Sequence, residues 1–369
     1  MKNRFMGRLL LMLFIPAFAF AFAACAGQGG PDAPSQADTQ APSGGQEAPS
    51  GLTPVRIGFP SGGGDWPGTF LGVASEYGYL EYYLNPLGYT ADLRAFVGAA
   101  PAIHEALVSD ELDYVVYAGM ASVLSKSNGI GHTLLSVAGW GSNWKLVARP
   151  DIGIESLSDL RGKKIAYTRG ASPHMYAIRA LSEGGLSFDD IEPINSTIPE
   201  GLAGIVSKTL DATVVIAGQE AELIASGAAK VIHSGFTANP DVYYEPMVFI
   251  GRTDAYEADP QVAVAIQKAL LRAKDKAKSD VDAYFALQAE RSGYPLEVIL
   301  ETAERDLDVS GPMNLDARYI NSLKAIESFL RENELISGTI DYEAWVDDYV
   351  VKTAEAEYAA EIADEYPEE

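Results

Sequence analysis

Four stretches of this chain place small residues just past an apolar strand pattern, an arrangement suited to gripping a ligand through backbone N–H groups. They are Ser61-Gly62-Gly63-Gly64-Asp65-Trp66, Tyr117-Ala118-Gly119-Met120, Thr168-Arg169-Gly170-Ala171-Ser172-Pro173-His174 and Ala217-Gly218-Gln219. Small side chains let main-chain amides come close to a guest, and a helix opening directly afterwards favours an anion. Each stretch alone reads as an ordinary tight turn; four together, split between two halves of the chain, point to a cleft. The candidate donors are the amides of Ser61–Gly63 and Ala171–Ser172, with Arg169 as the candidate for a bidentate grip on an acid group. Aromatic residues gather at similar loop ends: Trp66, Tyr117, Trp140, Trp144, Tyr243 and Tyr244. Of these, Trp66 and Trp140 are placed to cover the organic part of a ligand.

Catalytic motifs are incomplete by comparison. Gly162-Lys163 lacks the upstream glycine and the hydroxyl of a phosphate loop, and Gly129-Ile130-Gly131 is not followed by a third glycine. His104-Glu105 has no second histidine to complete a zinc helix. Ser142-Asn143-Trp144-Lys145 has the spacing of a Ser/Lys nucleophile pair without its companion motifs. Asp306 to Gly311 imitates the start of a calcium loop, but its twelfth position is Ala317 instead of the bidentate Glu. The four histidines, His104, His132, His174 and His233, are scattered and read as packed or surface residues. A binding protein without catalysis, cofactor or metal is the expectation.

The first fifty residues stand apart from the fold. Lys2, Arg4 and Arg8 precede an apolar run from Leu9 to Phe22, which leads into Ala23-Ala24-Cys25. A basic start, a short apolar core and small residues describe a secretory signal over 1–24; the run falls short of the roughly 20 apolar residues of a membrane span. Cys25 is the only cysteine, so in a secreted chain it is either a loose thiol or a modified one. Its setting resembles the lipobox of bacterial lipoproteins, with Phe22 where a Leu is usual, which implies a lipid anchor on Cys25 and a place on the extracytoplasmic face of the cell membrane. From Ala26 to Thr53 the chain holds no aromatic residue, Lys or Arg and is dense in Gly, Pro, Ser, Gln and Ala, the composition of a disordered tether. With 27 basic against 51 acidic residues and a net charge of −24, the chain lacks the basic face that nucleic acid requires.

The folded part exceeds one comfortable core, so two lobes are expected. Strand patterns at Pro54–Pro60, Tyr89–Phe96, Leu112–Tyr117 and His132–Ala138 alternate with helical stretches, and the theme restarts at Lys164–Tyr167, Ala212–Ile216 and Ala229–His233. Such alternation predicts doubly wound, mostly parallel sheets. The C-terminal third reads as helices, including one beginning at Asp259-Pro260, and the acidic end from Glu355 to Glu369 is expected to fray.

The chain resembles the solute-binding proteins of the nitrate, taurine and sulfonate ABC importers and their relatives that bind thiamine-precursor pyrimidines. The resemblance rests on Val97-Gly98-Ala99-Ala100-Pro101-Ala102, leading through Glu105-Ala106-Leu107 to Leu112-Asp113-Tyr114. It continues in Asp159-Leu160-Arg161-Gly162-Lys163-Lys164-Ile165-Ala166, in Gly170 to His174, and in Leu210-Asp211-Ala212-Thr213-Val214. It implies a type II periplasmic-binding fold: lobe 1 from 54–147 and 249–369, lobe 2 from 148–248, joined by two crossing strands near Trp144–Arg149 and Val248–Arg252. It also places Gly63, Gly119, Ser172 and Gly218 in the ligand-contacting loops, and implies a monomer that hands a small solute to a membrane permease. Where sulfonate binders tend to carry a Trp and then Asp-Pro, this chain has Ile216-Ala217-Gly218. The expected ligand is a small organic, anionic or aromatic solute such as a sulfonate, with a thiamine-precursor pyrimidine binder or a related enzyme of the same fold as the alternative.

Overall fold

The computed structural model describes residues 51–61, 64–97 and 99–365, so the signal stretch, Cys25, most of the tether, Gly62 and Gly63 lie outside the described residues. Ten strands form two five-stranded sheets. The first holds β1 (Thr53–Pro60), β2 (Tyr89–Phe96), β3 (Tyr114–Ala118), β4 (His132–Gly141) and β10 (Glu245–Arg252), in the order β2-β1-β3-β10-β4. The second holds β5 (Trp144–Ala148), β6 (Lys164–Tyr167), β7 (Glu192–Asn195), β8 (Ala212–Ile216) and β9 (Lys230–Ser234), in the order β7-β6-β8-β5-β9. This is the two-lobed α/β architecture that the alternation predicts.

Each sheet contains one strand that runs against its neighbours, and both have the same origin. β10 is antiparallel to β3 and β4, and β5 is antiparallel to β8 and β9. Both have just arrived from the other lobe. A chain that enters from the face where the parallel strands end must run back along them. The crossings themselves are the short links between β4 and β5 and before β10. The segments expected to cross are therefore full members of sheets, and β5 lies in the second sheet although part of it was assigned to lobe 1.

Helices α1 (Thr69–Glu76), α2 (Tyr79–Leu84), α3 (Ala99–Val108) and α4 (Gly119–Ser127) follow strands of the first sheet. Helices α5 (Ser172–Glu183), α6 (Ile198–Val206), α7 (Ala221–Ala225) and α8 (Pro240–Tyr243) belong to the second lobe. The C-terminal part adds α9 (Thr253–Ala258), α10 (Pro260–Ser279), α11 (Val281–Ser292), α12 (Leu296–Leu300), α13 (Leu307–Ser310), α14 (Ala317–Glu332), α15 (Tyr342–Trp345) and α16 (Tyr349–Glu365). The period-2 pattern of β3 sends Tyr114 and Val116 to one core with Phe249 and Leu270, and Val115 and Tyr117 to the other with Val248 and Leu323. Sheets buried on both faces read as continuous apolar runs for this reason.

The acidic end does not fray as far as Glu365: it forms α16 and docks on α10. Val350 and Ala354 are fully buried there, Arg272 pairs with Glu361 at 2.7 Å, and Tyr358 donates to Asp275 at 2.9 Å. Charge counting alone misses that Glu357 and Glu361 meet Lys268 and Arg272 of α10.

Candidate ligand site between the lobes

The loops that follow β1, β3, β6 and β8 hold polar atoms with unusual surroundings. After β1, the Ser61 N–H donates to Phe96 O at 3.0 Å and Gly64 N–H donates to the Ser61 hydroxyl at 3.0 Å. The Trp66 ring then lies on α1 so closely that a Cβ at Gly72 would stand 2.5 Å from it. Its indole N–H is buried without a hydrogen-bond partner. Gln288 of α11 accepts from Thr69 N–H at 3.2 Å, which orients the amide and leaves its NH2 group buried and unpartnered.

On the third strand, Gly119 opens α4 against the returning chain, where a Cβ would come 2.8 Å from Pro246 O. The next amide, Met120 N–H, donates to Glu245 Oε2 at 3.2 Å, and the Trp144 indole donates to Oε1 at 3.4 Å. Burial raises the Glu245 carboxyl above the usual range, partly opposed by Ser172, the Met120 amide and the nearby Arg179. Ser172 stands at the first turn of α5, 3% exposed, and its hydroxyl lies beside Glu245 without a bond of acceptable geometry. In the crossing between β4 and β5 the buried Ser142 hydroxyl is likewise unpartnered.

The fourth strand end is shaped by Gly218. Its φ of +104° belongs to the left-handed region that favours glycine, and a Cβ there would also strike the Tyr294 ring at 2.8 Å. Gln219 follows with its carbonyl oxygen buried and unpartnered. Trp66 and Gln288 in the first lobe, Ser142 in the crossing, and Ser172 and Gln219 in the second lobe thus hold five unsatisfied polar atoms. Buried polar groups are nearly always bonded, and each orphan costs roughly 1–3 kcal/mol. Four of the five groups can donate, so an acceptor-rich guest satisfies them.

Other residues singled out in the sequence land elsewhere. Tyr117 is a core residue, 1% exposed, bonded to the Ser125 hydroxyl at 2.9 Å and set edge-on to His104. Tyr243 is buried in the second lobe, where it donates to Glu183 at 2.6 Å. Strand-end position alone does not show which way a ring points, and both rings point inward. Arg169 is exposed; its backbone N–H donates to Asn195 Oδ1 at 2.8 Å, and its side chain has no hydrogen-bond or ion-pair partner among the described residues. Ala171 is buried as the residue before α5, in a cluster that reaches into the first lobe. Trp140 lies away from the other loops, against Tyr244, Tyr319 and the Arg318 guanidinium.

The histidines are held by structural partners. His132 is fully buried between the Ser125 hydroxyl at 2.8 Å and the Trp345 indole at 3.2 Å, and burial with Lys126 and His104 nearby pulls it down to about 3. Burial pulls His104 and His174 down to about 4. A further pairing was not legible in the sequence. Lys145 of β5 sits 2.8 Å from both Glu220 and Glu301, so a helix of the C-terminal part reaches across to the second lobe. Burial pulls the Lys145 ammonium down, but the two carboxylates outweigh it and leave its pKa raised.

Two mostly parallel sheets, two crossings and a polar zone between facing strand ends define the periplasmic-binding fold of solute receptors. Residues 97–283, just over half of the chain, match the family described as NMT1/THI5 like, and the chain belongs to that family. A protein of Brucella abortus (strain 2308), provisionally named a binding protein, is 27% identical over 226 residues. That match takes in 60% of this chain and 66% of the relative's length. An Escherichia coli (strain K12) protein, provisionally named an aliphatic sulfonates-binding protein, is 25% identical over 191 residues, 51% of this chain and 57% of that one. Among solved structures, the alkanesulfonate-binding protein SsuA of Xanthomonas axonopodis pv. citri bound to MOPS superposes with a TM-score of 0.67 at 19% identity. That superposition covers 81% of this chain and 100% of the other. The desulfurization enzyme DSZB superposes with a TM-score of 0.65 at 16% identity, covering 83% and 99%. Likenesses at this identity establish the fold, which binders and an enzyme share.

Proposed function

We propose that this chain is the solute-capturing component of an ABC importer, held outside the cell by a lipid on Cys25, and that it clamps a small organic anion of the sulfonate class between its lobes. The observation that carries this reading is the set of five unpartnered buried polar atoms contributed from both lobes. An anion touching both sides shifts the population toward the closed form, which is how a permease would distinguish loaded from empty receptor. The names of the relatives support a sulfonate. Among the described residues no helix is long and apolar enough to cross a membrane. Ser61, Gly119, Ala171, Ser172 and Gly218 supply the surrounding backbone, and Trp66 one wall, with Arg169 exposed at the mouth; Gly62 and Gly63 are assigned to the same loop from the sequence alone.

An enzyme of the same fold is the second reading, favoured by the superposition with DSZB. Thermal-shift measurements with sulfonates, sulfinates, carboxylates, nitrate and pyrimidines, followed by mass spectrometry of the recovered compounds, separate the two. A ligand at a hundred times its Kd adds about 2.7 kcal/mol of stability. The proposal expects stabilisation by a sulfonate that is recovered unchanged. Conversion of any stabilising compound, or stabilisation by none of the anions, overturns it.

A further inference from the structure

Away from those loops, the lobes meet again where α14 faces α5, and there a half-open cavity of about 200 Å³ lies. Its walls include Trp140 of β4, Arg318 and Ser322 of α14 from one lobe, with Arg179 of α5, Asp241 and Tyr244 from the other. Arg179 is seven residues beyond Ser172, about 10 Å along the helix, so this space is separate from the α5 N-terminus.

The two arginines carry the argument. The Arg179 guanidinium lies 5.1 Å from the Phe329 ring centroid and the Arg318 guanidinium 4.9 Å from that of Trp140. Neither has a hydrogen bond or an ion pair with any described residue, although this chain is strongly acidic and pairs most of its other arginines. Burial draws the Arg179 pKa below its ordinary value, and the Glu245 carboxylate, too far away for an ion pair, offsets this only in part. A ring beneath each guanidinium fixes its plane and leaves the N–H edges free for a planar or trigonal acid group. Among the lining residues Asp241 supplies one negative charge against two positive ones; Glu245, beyond the lining, is pushed toward its neutral form by burial and offsets Arg179 only in part, so the cavity favours a monoanion. Tyr244, 6.0 Å from Trp140 between ring centroids, offers an apolar wall for the rest of the molecule. The volume is below the roughly 300–1,000 Å³ of drug-sized sites, which limits the occupant to a small molecule.

From this geometry we infer that the chain has a second ligand site on its hinge flank, which takes a small organic monoanion, a carboxylate or sulfonate with a ring or short apolar body. The acid group lies between Arg179 and Arg318, and the body rests on Trp140 and Tyr244. Because its walls come from both lobes beside the crossings, occupancy favours the closed arrangement independently of what the strand-end site holds.

The test uses the full chain with its tryptophans replaced by 5-fluorotryptophan, the four fluorine signals being assigned by single Trp→Phe variants. The probes are benzenesulfonate, benzoate and, as a neutral control, benzyl alcohol. The inference expects both anions to shift the Trp140 signal saturably below about 20 mM, a weak-binding range, and the alcohol to leave it in place. Arg179→Met and Arg318→Met each weaken the response at least about tenfold, the loss of a charged hydrogen bond, while an unchanged Trp345 signal certifies that the variant is folded. Gln219→Ala, in the strand-end site, leaves the Trp140 response intact. No anion-dependent shift at Trp140, a shift that survives both arginine substitutions, or one abolished by Gln219→Ala overturns the second site. None of these outcomes decides whether the strand-end site takes a sulfonate.

Discussion

The two places where the lobes touch beside the strand ends treat positive charge in opposite ways. At Lys145 a buried ammonium is matched by Glu220 from its own lobe and Glu301 from the other, both at 2.8 Å. At the hinge flank, Arg179 and Arg318 have aromatic rings for neighbours and no carboxylate within ion-pair distance. Taking a cation out of water is costly unless a partner restores the lost hydration. A matched cation is therefore part of the scaffold, and an unmatched one beside a cavity awaits a guest. The strand-end zone between them follows the second pattern with neutral groups.

Breaking the matched side should give the largest effect. Lys145→Met leaves the Glu220 carboxylate, whose side chain is 3% exposed, buried without its cation. A loss of about 3–5 kcal/mol in denaturant unfolding is expected, against less than about 1 kcal/mol for Glu301→Gln, whose side chain is 59% exposed. Equal losses for the two would place the burial on the wrong carboxylate.

Acid sharpens the contrast from another direction. His132 is neutral when folded, with a pKa near 3, and titrates near 6.5 when unfolded. Its contribution is complete above the unfolded value and is lost as pH falls toward the folded one. Lowering the pH from 7 to 5 should therefore remove about 2 kcal/mol through this residue alone, and the corresponding slope should be missing in His132→Gln.

Gly218→Ala tests the strand-end zone through its backbone. The positive φ and the Tyr294 ring together should cost more than about 1 kcal/mol, read as a lowered Tm. Smallest in stability and largest in function is Gln288→Ala. It removes an unsatisfied NH2 group together with the acceptor of the Thr69 N–H, so folding should change by no more than about 1 kcal/mol while sulfonate affinity falls about tenfold or more by calorimetry.

Much of the fold was legible because its signals are local. β2, β6 and β8 occupy the ranges that the sequence marks, and the small residues singled out after β3, β6 and β8 follow those strands directly. The site was legible in its backbone and not in its side chains. Whether Tyr117 points to a cleft or a core depends on which face of β3 each helix covers, and no local pattern carries that. Gln288, Tyr294 and Glu301 lie in a stretch that reads only as helix, yet they meet residues about 70–220 positions earlier: Gln219 and Gly218, Lys145, and Thr69. Arg179 is one polar residue on an amphipathic helix, and only the packing of α14 against α5 shows that it lacks a partner.

The central claim, that facing strand ends hold one anion from both sides, is tested most directly by a crystal structure of the full chain grown with an alkanesulfonate. The account predicts the sulfonate group within hydrogen-bond distance of Ser172 from one lobe and of at least one of Trp66 and Gln288 from the other. A sulfonate bound to a single lobe, with those three side chains still unpartnered, would contradict it.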